Sequence, residues 1–446
     1  MAIVTLGCKV NQYDSAALAG AFLDKGYCRV EFNDTADVYV INTCSVTHLS
    51  DRKSRQLIRR AVKANPAAVI AVTGCYAQGS PEEVLEIPGV DLVIGTRDRG
   101  RLVELIDMME SDNPTQPKAK NTNLSNSVIG WTGDYSFEED AAPPVQERSR
   151  AFLKIQDGCD NYCTYCIVPY VRGGLRSLPP ERVEAQAREL AAAGYREIVL
   201  TGIHTGSYGR DLSKGAVSLA GLLRKLAKIP GLPRIRLGSV DPNDVTLELV
   251  EALMASPIFC RHLHVPLQSG DDGILEKMGR RYTAWEYTSM VNVLKENIPG
   301  LGLTTDVIVG FPGETGACFD RTYNLLRKCS FSRLHVFKYS PRVGTPAASF
   351  DGQVAAAVKE ERSRKLIDLG NEMSAAFAAS LEGQVLDVLV ERQALGEGGM
   401  FEGLTDNYLR AFFPARDLDP GSILPIKIES TKNQGLFGRI WAMDNL

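Results

Sequence analysis

The chain has 446 residues, enough for about three domains in a row. With 44% hydrophobic and 23% charged residues it has the composition of an ordinary globular protein, which excludes a disordered chain and a collagen. Lys+Arg number 50 against 54 Asp+Glu, a formal charge of −4, so bulk charge carries no nucleic-acid footprint and any such partner has to be bound by a local patch.

The first twelve residues, MAIVTLGCKVNQ, have neither the basic region nor the apolar core of a signal peptide, and no run of about 18 apolar residues occurs. The expectation is a cytoplasmic protein with no membrane partner, in which a clustered set among the ten cysteines serves metal binding or catalysis and not disulfides. Apolar runs at Ile3–Leu6, Val38–Ile41, Val69–Val72 and Leu92–Ile94 alternate with helical stretches near 12–25, 51–64 and 98–109. That is a βα series with a parallel sheet, its second helix opening at a Ser50-Asp51 N-cap. Residues 111–147 turn polar and rich in Pro and Asn, and read as a linker.

A second βα series follows, with runs at Phe152–Ile155, Ile198–Leu200, Ile235–Leu237, Leu263–Leu267, Val307–Val309 and Leu334–Phe337. This spacing fits a partial (β/α)6 barrel, short of a closed eight-stranded one. Pro180–Ala193 and Val217–Lys228 read as helices, and Ala355–Leu381 as a long closing helix. After it, Val385–Val390, Tyr408–Phe413, Ile423–Ile428 and Leu436–Ile440 are short alternating β-runs, consistent with a small five-stranded barrel of OB-like size. The fold class is α/β throughout, with limits near 1–110, 111–147, 148–375 and 376–446 for the parallel-sheet domain, linker, barrel and terminal β-barrel.

Cys159-x3-Cys163-x2-Cys166 sets three thiols in one tight loop after the first barrel strand, where such folds keep their active sites. Three soft ligands suit zinc completed by a distant His, or a [4Fe–4S] cluster with one iron left for an external ligand. Cys8, Cys44 and Cys75 are far apart in sequence, yet each directly follows an apolar run. In a parallel sheet those strand ends share one edge, so the three thiols converge on a second site, unless they are merely buried core cysteines. Gly7 and Gly74 suit a backbone turning closely around a bulky group.

Two three-cysteine sets in this order, followed by a small β-barrel, resemble the radical S-adenosylmethionine (SAM) methylthiotransferases. TLGCKVNQYDS, VINTCSVT, DRKSRQLIRRA and TGCYAQ are similar to the N-terminal methylthiotransferase domain, and CDNYCTYCIVPYVRGG to the radical SAM core. LTGIHTGSYG, RIRLGSVDP, HVPLQSG, DVIVGFPGET and HVFKYSPRVGTPAA resemble later strands of that core, and EGLTDNYLRAFFP the TRAM module. GCKVNQYDS and IVPYVRGG favour the MtaB-type branch, which acts on N6-threonylcarbamoyladenosine at position 37 of tRNA.

The resemblance implies an enzyme that replaces an aromatic C–H by C–SCH3, with two [4Fe–4S] clusters and SAM as cofactors. It makes Cys159, Cys163 and Cys166 the ligands of the SAM-cleaving cluster, and Cys8, Cys44 and Cys75 those of a sulfur-presenting one. Tyr165 matches the position beside the adenine, while Thr201, Gly202, Ser239, Gln268, Gly310, Phe311, Glu314 and Tyr339 match strand ends near SAM. Partners are then a tRNA anticodon loop, a reductant of flavodoxin or ferredoxin type and a sulfur donor. The alternatives are methylthiolation of an Asp side chain of a ribosomal protein, or an RNA-binding protein with structural zinc.

Arg52, Lys53, Arg55, Arg59, Arg60 and Lys63 put six cations within twelve residues, which serves either a solvated helix face or RNA phosphates. From 381 onward six basic residues face ten acidic ones, so RNA is not drawn there by charge. Tyr408, Arg410, Phe412 and Phe413 nevertheless interleave aromatics with a cation, as base-stacking surfaces do and as plain strand packing also does. The RNA-binding candidates are Arg52, Arg55, Arg59, Arg60 and Arg410. His204, His264 and His335 read as satisfied core histidines, and Cys28, Cys260, Cys318 and Cys329 as small core residues.

Overall fold

The structure, a computed structural model, describes residues 1–111, 137, 149–212, 217–232, 234–394, 399–432 and 435–441. The expected linker over 111–147 lies, apart from 111 and 137, outside them. The chain forms two units, one drawn from Met1–Gln146, Gln156–Leu178 and Ser340–Ala348, the other from Glu147–Ile155, Pro179–Tyr339 and Ser349–Leu446. This division follows contacts and not chain order, so two short segments of the central region belong with the N-terminal sheet.

In the first unit the strands Ala2–Thr5, Val38–Thr43, Val69–Gly74 and Leu92–Val93 pair in that order, all parallel. Both central strands are buried along their whole length, which is why they read as continuous apolar runs. Alternate side chains serve opposite faces: Tyr39 and Ile41 pack with Ile58, Ile70 and Val72, while Val38 and Val40 pack with Leu18, Phe22 and Ile106. A core residue such as Phe22 or Ile58 contributes about 1.5–3 kcal/mol by leaving water. A two-stranded ribbon, Gln156–Asp157 against Arg176–Ser177, frames the loop that carries Cys159, Cys163 and Cys166.

In the second unit six parallel strands, Ala151–Lys154, Glu197–Thr201, Arg234–Leu237, His262–His264, Gly302–Val309 and Arg333–Lys338, make the partial barrel. They form two three-stranded ladders joined through bridges Ile235↔Phe259 and Ser239↔His264. Helix Ala284–Asn297 opens with a Thr283/Glu286 capping box, and helix Ala356–Ala379 is tied to the last strand by Ser374 Oγ donating to Ser332 O at 2.6 Å. The terminal strands close into a five-stranded barrel, the fifth being Met400–Thr405. Gly403 interrupts that strand's apolar pattern because a Cβ there would lie 2.2 Å from Leu389 O.

The inner face of the six strands holds charge at its base. Glu197, fully buried, accepts from Arg236 Nε at 2.8 Å and from Arg234 Nε at 2.7 Å. Burial opposes its ionisation, yet the two arginines hold its carboxyl down at about 2. Arg236 also donates to Thr405 O and Asp406 O, fastening the terminal barrel to the strand ends. Tyr408 lies in the same junction, its ring 4.6 Å from the Arg236 guanidinium and 4.5 Å from His262. Tyr408 therefore does not present a stacking face to RNA, and Phe413 is fully buried in the barrel core. Residue alternation in a half-buried strand cannot tell a packing aromatic from a stacking one, and for Tyr408 and Phe413 packing is the outcome.

Candidate metal centres

The three dispersed cysteines stand where the strands of the first unit end. Cys8 is the N-cap of helix Lys9–Asp24, Cys44 follows Val38–Thr43, and Cys75 opens helix Cys75–Gly79 directly after Val69–Gly74. Polar side chains stitch these ends together. Asn11 Nδ2 donates to Leu6 O at 2.7 Å and Thr43 O at 3.0 Å, while Asn42 Nδ2 donates to Asn11 O at 2.9 Å. Thr43 Oγ1 donates to Thr73 O at 2.6 Å.

Gly7 and Gly74 have φ of 104° and 96°. A Cβ at Gly7 would lie 2.9 Å from Cys44 Cβ, and one at Gly74 would lie 2.4 Å from Thr43 O, so both turns need glycine. Burial, with Cys75 and Cys8 alongside, pushes the Cys44 thiol up to about 11. Thiols crowded together out of solvent lose their protons together only beside a strong cationic centre, and soft sulfur donors suit iron. The residues therefore fit a metal cluster.

Beside them Arg172 is fully buried. It closes helix Val168–Arg172, just past the second cysteine set, and donates from Nη1 to Asp157 Oδ2 at 3.0 Å and from Nη2 to Asp14 Oδ2 at 3.1 Å and to Asn11 Oδ1. Arg99 pairs with the same Asp14. Burial works against the guanidinium's charge, but Asp157, Cys75, Asp14 and Cys8 more than offset it, and its pKa stands well above the ordinary value. A permanent cation thus borders the first thiol set.

The second set lies in a loop pinned at both ends. Cys159 N donates to Gly173 O at 2.8 Å, Cys166 N donates to Cys163 O at 2.9 Å, and Ala347 N donates to Thr164 O at 2.9 Å. Gly158, with φ 74°, could not carry a Cβ, which would fall 1.9 Å from Gly174 O. Cys163 is buried and Cys159 and Cys166 are half-buried, with Tyr165 half-buried between them. None of the ten cysteines forms a disulfide. Three thiols inside one eight-residue turn suit a [4Fe–4S] cluster that keeps one iron for an external ligand.

The other proposed cofactor residues are in the second unit, along the C-terminal ends of its strands. Thr201 closes its strand, with Gly202 next to it, and Ser239 and Gln268 bridge to His264 and Val307. Gln268 holds φ 65°, and Gly310 and Tyr339 immediately follow their strands. Phe311 is fully buried against Tyr339 and Phe350. Glu314 accepts from Gly310 N at 2.9 Å and pairs with Arg362.

His204 is buried and bound to Asp244 at 2.7 Å. His335, read as a core residue, is instead exposed and shares Asp306 with His264, to which its ring stacks at 5.4 Å. Burial opposes ionisation of Asp306, but the two histidines hold its carboxyl down at about 2. Cys260, Cys318 and Cys329 are buried as expected, whereas Cys28 is exposed.

Among the RNA candidates, Arg52, Arg59 and Arg60 are exposed on helix His48–Ala64. Arg55 donates to Tyr76 Oη at 2.9 Å, and Arg410 pairs with Glu402 at 2.9 Å. Sequence reasoning passed over Arg172 and Arg342, whose signal is a lone arginine in an otherwise uncharged stretch, VPYVRGG and YSPRVGTP. No helix among the described residues is long and apolar enough to cross a membrane.

A family described as uncharacterized protein family UPF0004 matches residues 1–95, the radical SAM superfamily matches 153–326, and the TRAM domain matches 379–441. The threonylcarbamoyladenosine tRNA methylthiotransferase MtaB of Bacillus subtilis (strain 168) is 45% identical over 446 residues, 99% of this chain and 96% of that protein. Its namesake in Thermotoga maritima is 36% identical, covering 97% and 95%. The tRNA-2-methylthio-N(6)-dimethylallyladenosine synthase of Moorella thermoacetica is 38% identical, covering 98% and 97%. A structure of the radical SAM methyltransferase TsrM from Kitasatospora setae, with cobalamin and a [4Fe–4S] cluster bound, has TM-score 0.56 at 17% identity over 78% of this chain and 76% of that one, a likeness of fold alone. With identity of this order over nearly the whole of both chains, and six cysteines set at two cradled turns, the chain belongs to the radical SAM tRNA methylthiotransferase family.

Proposed function

We propose that this enzyme replaces the C2–H of N6-threonylcarbamoyladenosine at position 37 of tRNA with a methylthio group. The observation that carries the reading is the end-to-end likeness to the Bacillus subtilis protein named for that substrate. The target carbon is neither acidic nor electrophilic, so acid–base side chains have little to offer and the reactivity comes from a radical cofactor. Cys159, Cys163 and Cys166 hold one [4Fe–4S] cluster and Cys8, Cys44 and Cys75 another, the first supplying reductive cleavage of SAM and the second a place for the transferred sulfur.

The chain's own residues orient and shield. Gly7, Gly74 and Gly158 let neighbouring chain segments pack closely at the turns that carry the thiols. Arg172 opposes the negative charge of the first thiolate set. Tyr165 packs beside the adenine of SAM, and Thr201, Gly202, Ser239, Gln268, Gly310, Phe311, Glu314 and Tyr339 line its strand-end site, Phe311 and Glu314 by holding the turn. Arg52, Arg55, Arg59, Arg60 and Arg410 position the anticodon loop. A flavodoxin or ferredoxin type reductant and a sulfur donor complete the reaction, in the cytoplasm, with domain limits near 1–110, 148–375 and 376–446.

The test is nucleoside mass spectrometry. Holoenzyme with SAM and reductant should convert the threonylcarbamoylated nucleoside of tRNA to its 2-methylthio form. Conversion of dimethylallyladenosine instead would overturn the reading of the substrate. A protein that carries zinc and absorbs no visible light would overturn the chemistry.

A further inference from the structure

The first unit contains a cleft of about 640 Å³ whose wall includes Ser45 and Tyr76, the residues that follow Cys44 and Cys75. That volume suits a molecule the size of a nucleoside. Arg342, nine-tenths buried, donates from Nη1 to Asp51 Oδ2 and from Nη2 to Ser45 Oγ, both at 2.6 Å. The same pair has capacity in reserve, since Arg342 Nε and Asp51 Oδ1 are buried with no hydrogen-bond partner among the described residues. Arg55 and Arg59 stand on the wall as well, and so do Glu83 and Glu86. Arg55 donates to Tyr76 Oη, which in turn donates to Glu83 at 2.7 Å.

Three guanidiniums are thus matched by three carboxylates, Asp51, Glu83 and Glu86. A lining with its cations so matched does not concentrate a run of phosphates in the cleft, and it suits one nucleoside that presents donors, acceptors and a single anionic group. We propose that this cleft receives the N6 substituent of the target nucleoside, and that Arg342 is a specificity-determining residue that pairs with the substituent's carboxylate. The proposal rests on the threonylcarbamoyl reading above, because that substituent carries a carboxylate and an alkyl one does not. Asp51 and Ser45 hold the guanidinium plane in advance, so little rotamer freedom is lost when the carboxylate arrives.

The experiment measures holoenzyme binding to two anticodon stem-loops that differ only in carrying N6-threonylcarbamoyladenosine or plain adenosine at position 37. Arg342→Gln should cut the preference for the modified loop at least tenfold while binding of the plain loop stays nearly constant. Arg342→Lys, which keeps the charge and loses the planar fork, should recover part of it. Because Arg342→Gln strands Asp51, the Asp51→Asn/Arg342→Gln pair is measured beside it, with iron content and visible absorption reporting that each variant is folded and loaded. Equal weakening on both loops would assign Arg342 to a phosphodiester and overturn the proposal, as would a preference left intact. Wild-type turnover of the modified loop separates the two levels. If it forms no methylthio product, the functional reading falls and this proposal with it; if it does and Arg342→Gln leaves the preference intact, the proposal alone is lost.

Discussion

Arg172 sits with its guanidinium wholly out of solvent, so its charge has to be met by the residues around it. Asp157, Asp14 and Asn11 supply three acceptors, from a ribbon, a helix and the same helix respectively. Arg172→Met leaves two carboxylates buried without this partner, though Asp14 keeps Arg99, and should cost about 3–5 kcal/mol. Thermal melts compared with Arg172→Lys would check it, the lysine falling between the two because it keeps charge and loses the fork. At the cysteines the expectation is stoichiometric. Anaerobically reconstituted enzyme should carry about eight irons and Cys159→Ala about four, by the four-iron composition of each cluster. Loss of all iron in that variant would mean that the two sets do not bind independently. The two three-cysteine sets were legible as candidate ligands in the sequence because thiols are rare and their spacing is short or strand-terminal. Arg172 and Arg342 were not, since their partners lie on segments remote in the chain.

At the scale of elements, helix His48–Ala64 shows how a local signal can be read one turn late. Its expected cap was Ser50-Asp51, but Thr47 Oγ1 accepts from Ser50 N at 3.2 Å and starts the helix earlier. Asp51 then falls in the first turn on the buried face, where it meets Arg342. Ser54, Ile58 and Ala61 continue that face, and Arg52 and Arg60 lie outward. Outward cations without a place in the cleft are the ones proposed to meet RNA phosphates. Replacing Arg52 and Arg60 by Ala should lower the slope of log binding constant against log salt by about two, while SAM cleavage without RNA is retained. An unchanged slope would make this an ordinary solvated face. The proposed division of labour between the two cysteine elements is testable in the same way. A triple Cys8, Cys44, Cys75 to Ala variant should still release 5′-deoxyadenosine with reductant yet insert no sulfur, and Cys163→Ala should do neither.

Across the second unit as a whole, one buried carboxylate ties two sheets together. Glu197 holds Arg236 and Arg234, and Arg236 reaches the carbonyls of Thr405 and Asp406 in the terminal barrel. Its carboxyl is lowered from 4.5 to about 2 in the folded protein. A lowered carboxyl stabilises the fold in full above the unfolded value, and the contribution fades as pH falls from about 4.5 toward 2. Denaturant melts followed by tryptophan fluorescence should therefore show this unit weakening across that acid window. In Glu197→Gln the slope there should flatten, and at neutral pH the loss should be about 3–5 kcal/mol, because Arg236 is left buried with half its partners. A wild-type slope retained in the variant would place the acid sensitivity elsewhere.

The order of the main parallel strands followed from the sequence alone, because burial on both faces of a parallel sheet leaves continuous apolar runs such as Val69–Val72, whereas strand Met400–Thr405 and the ribbon Gln156–Asp157/Arg176–Ser177 did not. The second cysteine set and the family likeness were legible from short contiguous motifs, and the first set from the apolar strand run that each of its cysteines directly follows. What only the tertiary structure decided concerns residues paired over long separations. Segments 156–178 and 340–348 join the N-terminal sheet, Tyr408 is packed into the strand base and not offered to RNA, and His335 meets His264 across Asp306. The reason is physical. Apolar periodicity records which side of an element is buried, whereas the partner of a buried charge is chosen by the approach of distant chain segments, as when Arg342 closes on Asp51 across 291 positions.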